Sequence, residues 1–283
     1  MAETPNLFWN AYKSLERELL DLASTIHIDD KQKSTYSTRI ANLLVSTAAE
    51  IETISKELYW KNGESKKEKD KPNFDTVCLK DLNEKWKITE KEVNIYCPQI
   101  YLKKEERLLI PLKDAEKWGD DGSEWKRAYH AVKHNRANNL EQGNIENFIN
   151  ALAALFILNV YYKNQTFGLS YDKDGKTFDS TLGSDVFQVT FLPYPNGNDE
   201  NQIKKCIYKI KKAEEINEDL KLIITALVKM KTEIDYQSEG QTINNNVIIG
   251  KPLDVVGRVQ KNTKPYEDLI PKMLNYEAVL NIP

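Results

Sequence analysis

Sulfur and imidazole groups are scarce in this chain of 283 residues, which contains only three cysteines and three histidines. The cysteines, Cys78, Cys97 and Cys206, lie far apart and form no CxxC pair. A disulfide scaffold or a zinc finger needs an even or closely spaced set of cysteines. The sequence therefore supports neither class, and we predict reduced thiols in a cytoplasmic protein.

Long hydrophobic runs and common glycine-rich motifs are also absent. The longest apolar run, Ala151 to Leu158, is much shorter than the roughly 20 residues of a bilayer-spanning helix. The N-terminus has no basic segment followed by an apolar one, so we predict neither a signal peptide nor a membrane partner. The P-loop, dinucleotide-binding and nucleophile-elbow motifs do not occur, and no cofactor is predicted.

The overall composition is that of an ordinary globular protein, with 40% hydrophobic and 29% charged residues. The formal net charge is -3, so long-range electrostatics gives no general attraction to nucleic acid. Any contact with nucleic acid must then be local.

A helical hydrophobic period runs through much of the first half of the chain. Apolar residues recur every three or four positions over residues 7–26 and 33–60, which predicts two helices in an antiparallel hairpin. A third helix is predicted from Ser123 to about Asn135, and a fourth over residues 145–162, capped by Asn144. The fourth is apolar nearly all round, so we expect it at the centre of the core of a mainly α fold.

Residues 61–122 are predicted to be an insert between the second and third helices. Its first part, residues 61–75, has alternating charges and little to bury, which predicts an exposed loop. A short helix is expected over Val77 to Trp86, followed by extended segments around residues 99–101 and 108–111.

The C-terminal part, residues 166–283, is predicted to be a smaller mixed α/β extension of a helical domain over residues 1–165. The alternation in "VFQVTF", Val186 to Phe191, predicts a β-hairpin or a small sheet. A helical stripe from Asn198 or Asp199 to about Ile234 predicts a long helix, either broken near Asn217 or forming a coiled-coil-like arm, and it includes the basic run Lys204 to Lys212. The extension is a candidate surface for a protein partner.

The most unusual stretch is "WKRAYHAVKHNR", residues 125–136, which holds cations and imidazoles but no acid. These groups are Lys126, Arg127, His130, Lys133, His134 and Arg136. On a helix, Arg127, His130 and His134 fall on one face, while Tyr129 points to the other side, towards a core. Such a cluster is tolerated where solvent screens it or where a dianionic partner neutralises it.

Three interpretations of this cluster stay open. It could be a solvated basic helix end, with Lys133 and Arg136 at the negative end of the helix dipole. A zinc site built on His130 and His134 would lack the glutamate that follows the first histidine in metalloprotease helices. In the third interpretation, His134 moves a proton and Arg127 holds negative charge on a phosphodiester, without a metal.

The motif, with the preceding "STRIANLLVSTAAEIETISKELY" and the following "NALAALFILNVYY", resembles the HEPN superfamily of antiparallel helical bundles over roughly residues 7–162. Catalytic members carry an arginine, four to six residues and then a histidine, and six residues separate Arg127 from His134. The motif looks closer still to a group of uncharacterised bacterial HEPN-like proteins with a Tyr-x-x-Val-Lys-His-x-Arg core. In that group the functional residues would map to His134, Lys133 and Arg136.

The resemblance implies a metal-independent endoribonuclease in a bacterial defence or toxin-like system. His134 would assist proton transfer as the 2′-hydroxyl of RNA attacks its own phosphate, and Arg127 would stabilise the developing charge. Lys133 or Arg136 could substitute for the arginine, and His130 belongs to the same candidate catalytic set. The predicted RNA-binding residues are Lys126, Lys133 and Arg136. Because family members pair two motifs across a dimer cleft, a homodimer is implied as well.

An inactive relative is the alternative. The more frequent family motif is Arg-Asn followed by three residues and the histidine. Counting back from His134, Tyr129 stands where that arginine would be, and His130 where the asparagine would be. The chain could then be an inactive HEPN-like module that binds RNA, a nucleotide or a partner protein, or a purely structural protein that forms oligomers.

Aromatic and acidic residues around the motif are predicted to be structural. Trp118 and Trp125 flank the turn before it, and packing explains them better than base stacking does. Glu50 and Glu52 on the second helix could orient His134, although ordinary surface positions are the simpler expectation.

Overall fold

The structure is a computed structural model that describes residues 6–63, 71–213 and 275–282. Six α-helices lie in this part of the chain: α1 (Leu7–Thr25), α2 (Thr38–Lys61), α3 (Lys80–Trp86), α4 (Glu124–Asn139), α5 (Ile145–Lys163) and α6 (Glu200–Lys205). The same ranges contain short strands: β1 (Val93–Ile95), β2 (Leu108–Leu109), β3 (Phe167–Ser170), β4 (Phe187–Val189), β5 (Phe191–Leu192), β6 (Tyr208–Lys212) and β7 (Tyr276–Leu280). The prediction of a mainly helical protein is thus confirmed.

Helix α5 is the centre of the core, as its apolar composition predicts. Most of its side chains are buried, and it packs against α1, α2 and α4. The Asn144 side chain caps it by accepting from the backbone N–H of Asn147 at 3.0 Å. By length and composition this helix could cross a membrane, but 83% of its most apolar window is buried inside the protein, which is the arrangement of a core helix.

The three cysteines are also buried, as free thiols.

Helix α2 begins at Thr38, later than its hydrophobic stripe predicts. The preceding backbone is bound to the start of α5 instead, where the Thr35 carbonyl accepts from the Ile145 N–H at 3.0 Å. The Ser37 hydroxyl then caps α2 by accepting from the Ile40 N–H at 3.2 Å. This tertiary pairing and the cap together set the start of the helix.

The insert between α2 and α4 is partly buried against the helices. Phe74 and Asp75, which were predicted to belong to an exposed loop, are buried in a π-helical turn, Phe74–Leu79, that packs on α2. Residues 64–70 of the predicted loop lie outside the described residues. The predicted short helix ending at Trp86 is confirmed, as this turn followed by α3.

Two small sheets lie beside the helices, with strand orders β2-β1-β4 and β3-β7-β6-β5. Of the two alternatives predicted for residues 186–191, the small sheet is confirmed and the hairpin is wrong, because β4 pairs antiparallel with β1, whereas β5 pairs parallel with β6. The chain passes from one sheet to the other at Thr190. Its carbonyl accepts from the Ile207 N–H at 2.9 Å, and its hydroxyl donates to the Glu92 carbonyl at 3.0 Å.

The predicted long helix from Asp199 is also wrong over the described residues. Helix α6 ends at Lys205 and is followed by β6, in which Tyr208 and Ile210 are buried. A strand forms here because β5 and the distant β7 offer hydrogen-bonding partners on its two edges. The rest of the predicted helix, residues 214–234, lies outside the described residues.

Buried polar contacts join the predicted helical domain to the predicted extension. The fully buried Glu16 carboxylate of α1 accepts from the Asp185 N–H at 3.0 Å. The buried Lys91 ammonium donates to the carbonyl oxygens of Cys206, at 2.9 Å, and Asn281, at 3.4 Å, and burial lowers its pKa to about 8. Because β1 and β4 also share a sheet, hydrogen-bonded structure crosses the predicted domain boundary.

Candidate active site

Helix α4 carries the basic motif and is fixed by its aromatic side chains. Trp125 and Tyr129 are buried, and the Trp125 indole N–H donates to the Pro111 carbonyl at 2.7 Å. Packing is therefore confirmed as the role of Trp125. The helix is interrupted at Asn135, whose φ of -148° and ψ of 66° are not helical, so the regular face of α4 ends at His134.

Arg127, His130 and His134 open onto one groove beside α4. The groove has a volume of about 390 Å³ and is lined by Asp75, Trp118, Gly119, Asp120, Lys126, Arg127, His130 and His134. Protein sites for small molecules measure about 300–1,000 Å³. The groove can therefore admit a group of nucleotide size.

The two imidazoles lie next to each other in this groove. The ring centroids of His130 and His134 are 6.2 Å apart, and their planes are within 5° of parallel. Partial burial and then the nearby Lys126 ammonium lower the pKa of His130, while Asp75 acts in the opposite direction. His130 is therefore neutral near pH 7 and can accept a proton.

Lys126 forms the buried back of the groove. Its side chain and that of Asp75 are 2% and 1% exposed, and Nζ lies 3.0 Å from Oδ2 of the aspartate. Nζ also donates to the carbonyl oxygens of Ala115, at 2.9 Å, and of Lys117. All three N–H donors are then engaged, so Lys126 has none left for a phosphate, contrary to the prediction that it binds RNA.

On its other side, α4 is bound to α2 through Tyr129. The tyrosine hydroxyl donates to Glu52 Oε1 at 2.8 Å and accepts from Lys133 Nζ at 2.6 Å. The hydrogen bond to the tyrosine raises the pKa of Lys133. Glu52 therefore contacts the motif helix, but through Tyr129 and not by orienting His134.

Lys133 and Arg136 lie away from the groove. Among the residues that the structure describes, neither is part of the groove lining. The Lys133 ammonium lies 4.9 Å from the centre of the Tyr129 ring, and Arg136 follows the interruption at Asn135 and is exposed. Geometry therefore does not place either cation where it could replace Arg127.

The formal charges in the groove are balanced. Lys126 is paired with Asp75, and Arg127 shares the groove with Asp120. Protonation of either imidazole makes the groove cationic. The attraction of the groove for an anion therefore depends on the two histidines.

A second hollow, of about 410 Å³, lies at the start of α4 and shares Arg127 and Asp120 with the groove. Its charged lining residues are Lys113, Asp114, Asp120, Asp121, Glu124 and Arg127. Carboxylates outnumber cations in this set, so it disfavours a polyanion. A phosphodiester bound by Arg127 would therefore lie on the histidine side.

Four residues of the groove, Asp75, Trp118, Gly119 and Asp120, were not predicted as part of a site. Asp75 was expected in an exposed loop and gave no signal, because its burial depends on packing against distant residues. Trp118 was expected to pack, and that prediction is wrong, since it is 67% exposed. Its place in the polar turn "WGDDGS", which offers no apolar neighbours, is the signal that could have shown this.

Comparison with known proteins gives no match, whether with family models, curated proteins or solved structures. Within the described ranges, no three histidine, cysteine, aspartate or glutamate side chains are grouped so that they could hold a metal ion. The groove itself is therefore the basis for assigning a function.

Proposed function

We propose that the protein is a metal-independent endoribonuclease of HEPN type that acts in the groove beside α4. The observation that carries the proposal is the convergence of one guanidinium, Arg127, and two parallel imidazoles, His130 and His134, on a groove of nucleotide size. Two imidazoles can act as base and acid in one reaction, and a guanidinium can hold phosphate oxygens. Such a set supports cleavage of a phosphodiester by side chains alone.

In the proposed reaction, neutral His130 accepts the proton of the 2′-hydroxyl as its oxygen attacks the adjacent phosphorus. The bond between the 2′ oxygen and phosphorus forms, and the bond from phosphorus to the 5′ oxygen breaks. His134 donates a proton to that leaving oxygen, and Arg127 stabilises the charge on the non-bridging oxygens. The products are a 2′,3′-cyclic phosphate and a free 5′-hydroxyl.

The wider setting of the proposal comes from the resemblance of the motif to HEPN proteins. It supports a role in bacterial defence or as a toxin, and a homodimer in which two grooves act on one RNA. Because the carboxylate-rich hollow lies on the far side of Arg127, RNA would follow the histidine face of α4.

The test is incubation of the purified protein with end-labelled RNA in EDTA. We expect fragments with cyclic phosphate ends from the wild type and strongly reduced cleavage by Arg127→Ala. His27→Ala is a matched control, because this third histidine lies outside the groove, with its ring stacked 4.4 Å from that of Tyr101. Absence of cleavage by the wild type, or equal cleavage by Arg127→Ala, would contradict the proposal.

An inactive RNA-binding module is the second candidate, and Tyr129 favours it. This buried tyrosine occupies the position of the usual family arginine and is bound to Glu52 and Lys133 on the side away from the groove. If this candidate is correct, RNA is retarded in a native gel by the wild type but is not cleaved, with or without EDTA.

A further inference from the structure

Trp118 is the exposed aromatic side chain of the groove. All five tryptophans lie in the described residues, and Trp118 alone is exposed, at 67%, whereas Trp86 and Trp125 are buried and Trp9 and Trp60 are half-buried. An indole in water forgoes the free energy that burial would give it. Packing therefore does not explain an aromatic residue at this position.

The backbone on both sides of Trp118 holds the indole at the rim of the groove. The carbonyl of Lys117, just before it, accepts from the buried Lys126 ammonium. Gly119, just after it, has a φ of +63°, in the left-handed region that favours glycine. The centroid of the indole lies 6.3 Å from that of His130. The ring is therefore anchored at its base while its surface is open to solvent.

We propose that Trp118 stacks on a nucleobase beside the scissile phosphate, and that the enzyme therefore acts on unpaired RNA; this inference rests on the proposed ribonuclease function. An aromatic face can stack on any base, at about 1–3 kcal/mol per base in proteins that bind single strands. Bases inside an A-form duplex are stacked on their neighbours and are not available to the indole. A nucleotide displaced from such a stack is of a size that fits a groove of about 390 Å³.

The charges around the groove fix the direction of binding. Arg127 and the imidazoles line the α4 side, whereas Asp120 lies in the same short turn as Trp118. A carboxylate repels a phosphate but can accept a hydrogen bond from the amino group of a base. The phosphate therefore binds along α4, and the base binds at Trp118.

The experiment compares the wild type with Trp118→Ala and Trp118→Phe on one RNA, first single-stranded and then annealed to its complement. We expect the wild type to cleave the single strand preferentially. Trp118→Ala should lower kcat/KM for the single strand by about 5- to 150-fold, the equivalent of 1–3 kcal/mol. Trp118→Phe should retain most of the wild-type kcat/KM, because its ring can also stack on a base. Tyr101→Ala, which removes another exposed aromatic ring, is the matched control and should have no effect.

Binding is measured separately, with a single-stranded DNA oligonucleotide that lacks the attacking 2′-hydroxyl. We expect it to quench tryptophan fluorescence in the wild type, and Trp118→Ala to bind it with a Kd raised by the same factor. Circular dichroism and the Tm show that the variants are folded, which the exposure of Trp118 leads us to expect.

The outcomes separate the two proposals. Cleavage that is unchanged in Trp118→Ala, or equal cleavage of single strand and duplex, overturns the stacking inference and leaves the ribonuclease proposal standing. If the wild type binds but does not cleave, the ribonuclease proposal fails, and the DNA affinity of Trp118→Ala alone decides whether the stacking site exists. An unchanged Kd in that variant would refute it.

Discussion

The two sides of helix α4 carry similar basic and polar side chains, but the two sides differ in whether these side chains are hydrogen-bonded within the described part of the chain. On the side that faces α2, Lys133, Tyr129 and Glu52 are joined by hydrogen bonds of 2.6 and 2.8 Å. On the groove side, Arg127 and His134 are exposed, and neither side chain makes a hydrogen bond within the described part of the chain. Groups with internal partners stabilise the fold, whereas groups without them keep their hydrogen-bonding capacity for a ligand.

Lys126 is a third case, because its ammonium is buried and all three of its N–H groups donate hydrogen bonds within the protein. One dense run of basic residues in the sequence is therefore not one electrostatic patch in the fold. The helical period sends Lys126 inward, Lys133 towards α2, and Arg127 and the histidines to the groove. The proposed catalytic groups all lie on the groove side, and the predictions below test whether the two sides of α4 differ in this way.

The largest expected effect is that of His134→Ala on cleavage. Loss of a group that transfers a proton in the transition state typically costs about 10²- to 10⁴-fold, and kcat should fall by that amount. Lys133→Ala removes a cation of the same motif from the opposite side of α4 and should change kcat little. Single-turnover cleavage of labelled RNA measures both, and equal loss of activity in the two variants would break the comparison.

The next largest effect is on stability, from Lys126→Met. It leaves the Asp75 carboxylate buried without its partner, which typically costs about 3–5 kcal/mol of the free energy of unfolding. The double variant Lys126→Met/Asp75→Leu removes both charges and should regain most of that loss. Urea unfolding monitored by circular dichroism measures these differences.

The matched control is Arg39→Gln, which breaks an ion pair of α2 with Glu18 that is exposed on both sides. Solvent screens such a pair, so we expect little change in unfolding. If Lys126→Met lowered the free energy of unfolding no more than Arg39→Gln does, the buried ion pair of Lys126 with Asp75 would not stabilise the back of the groove.

The sequence predicted the helices whose apolar residues recur every three or four positions. Helices α1 and α5 were predicted nearly to the residue, because their apolar stripes, and for α5 the cap at Asn144, are written in consecutive residues. The groove residues Arg127, His130 and His134 could also be predicted to share a face, since spacings of three and four on one helix need no tertiary information.

The sequence could not predict features that depend on distant partners. The apolar residues Ile207 and Ile210 fit a helical stripe as well as a strand, and only pairing with β7, from the C-terminus, decides for the strand. The burial of Asp75 likewise depends on Lys126, which lies far along the chain.

The smallest expected effect is a shift in the pH dependence of cleavage. Burial, Lys126, His134 and Lys133 lower the pKa of His130, and Asp75 raises it. The proton-accepting form then persists to lower pH, so the acid limb of kcat/KM should have its midpoint below the ordinary histidine pKa of about 6.5. The unfolded chain binds more protons in that window, so stability should also decrease as the pH falls through it.

Lys133→Met sharpens this last prediction, because the positive charge of the lysine lowers the pKa of His130. Removing that charge should raise the pKa of His130 slightly and move the acid limb to higher pH, without touching the groove. NMR titration of the His130 ring assigns the shift to that residue. If the acid limb of kcat/KM has its midpoint above pH 6.5, or if that midpoint moves to lower pH in Lys133→Met, His130 is not the base.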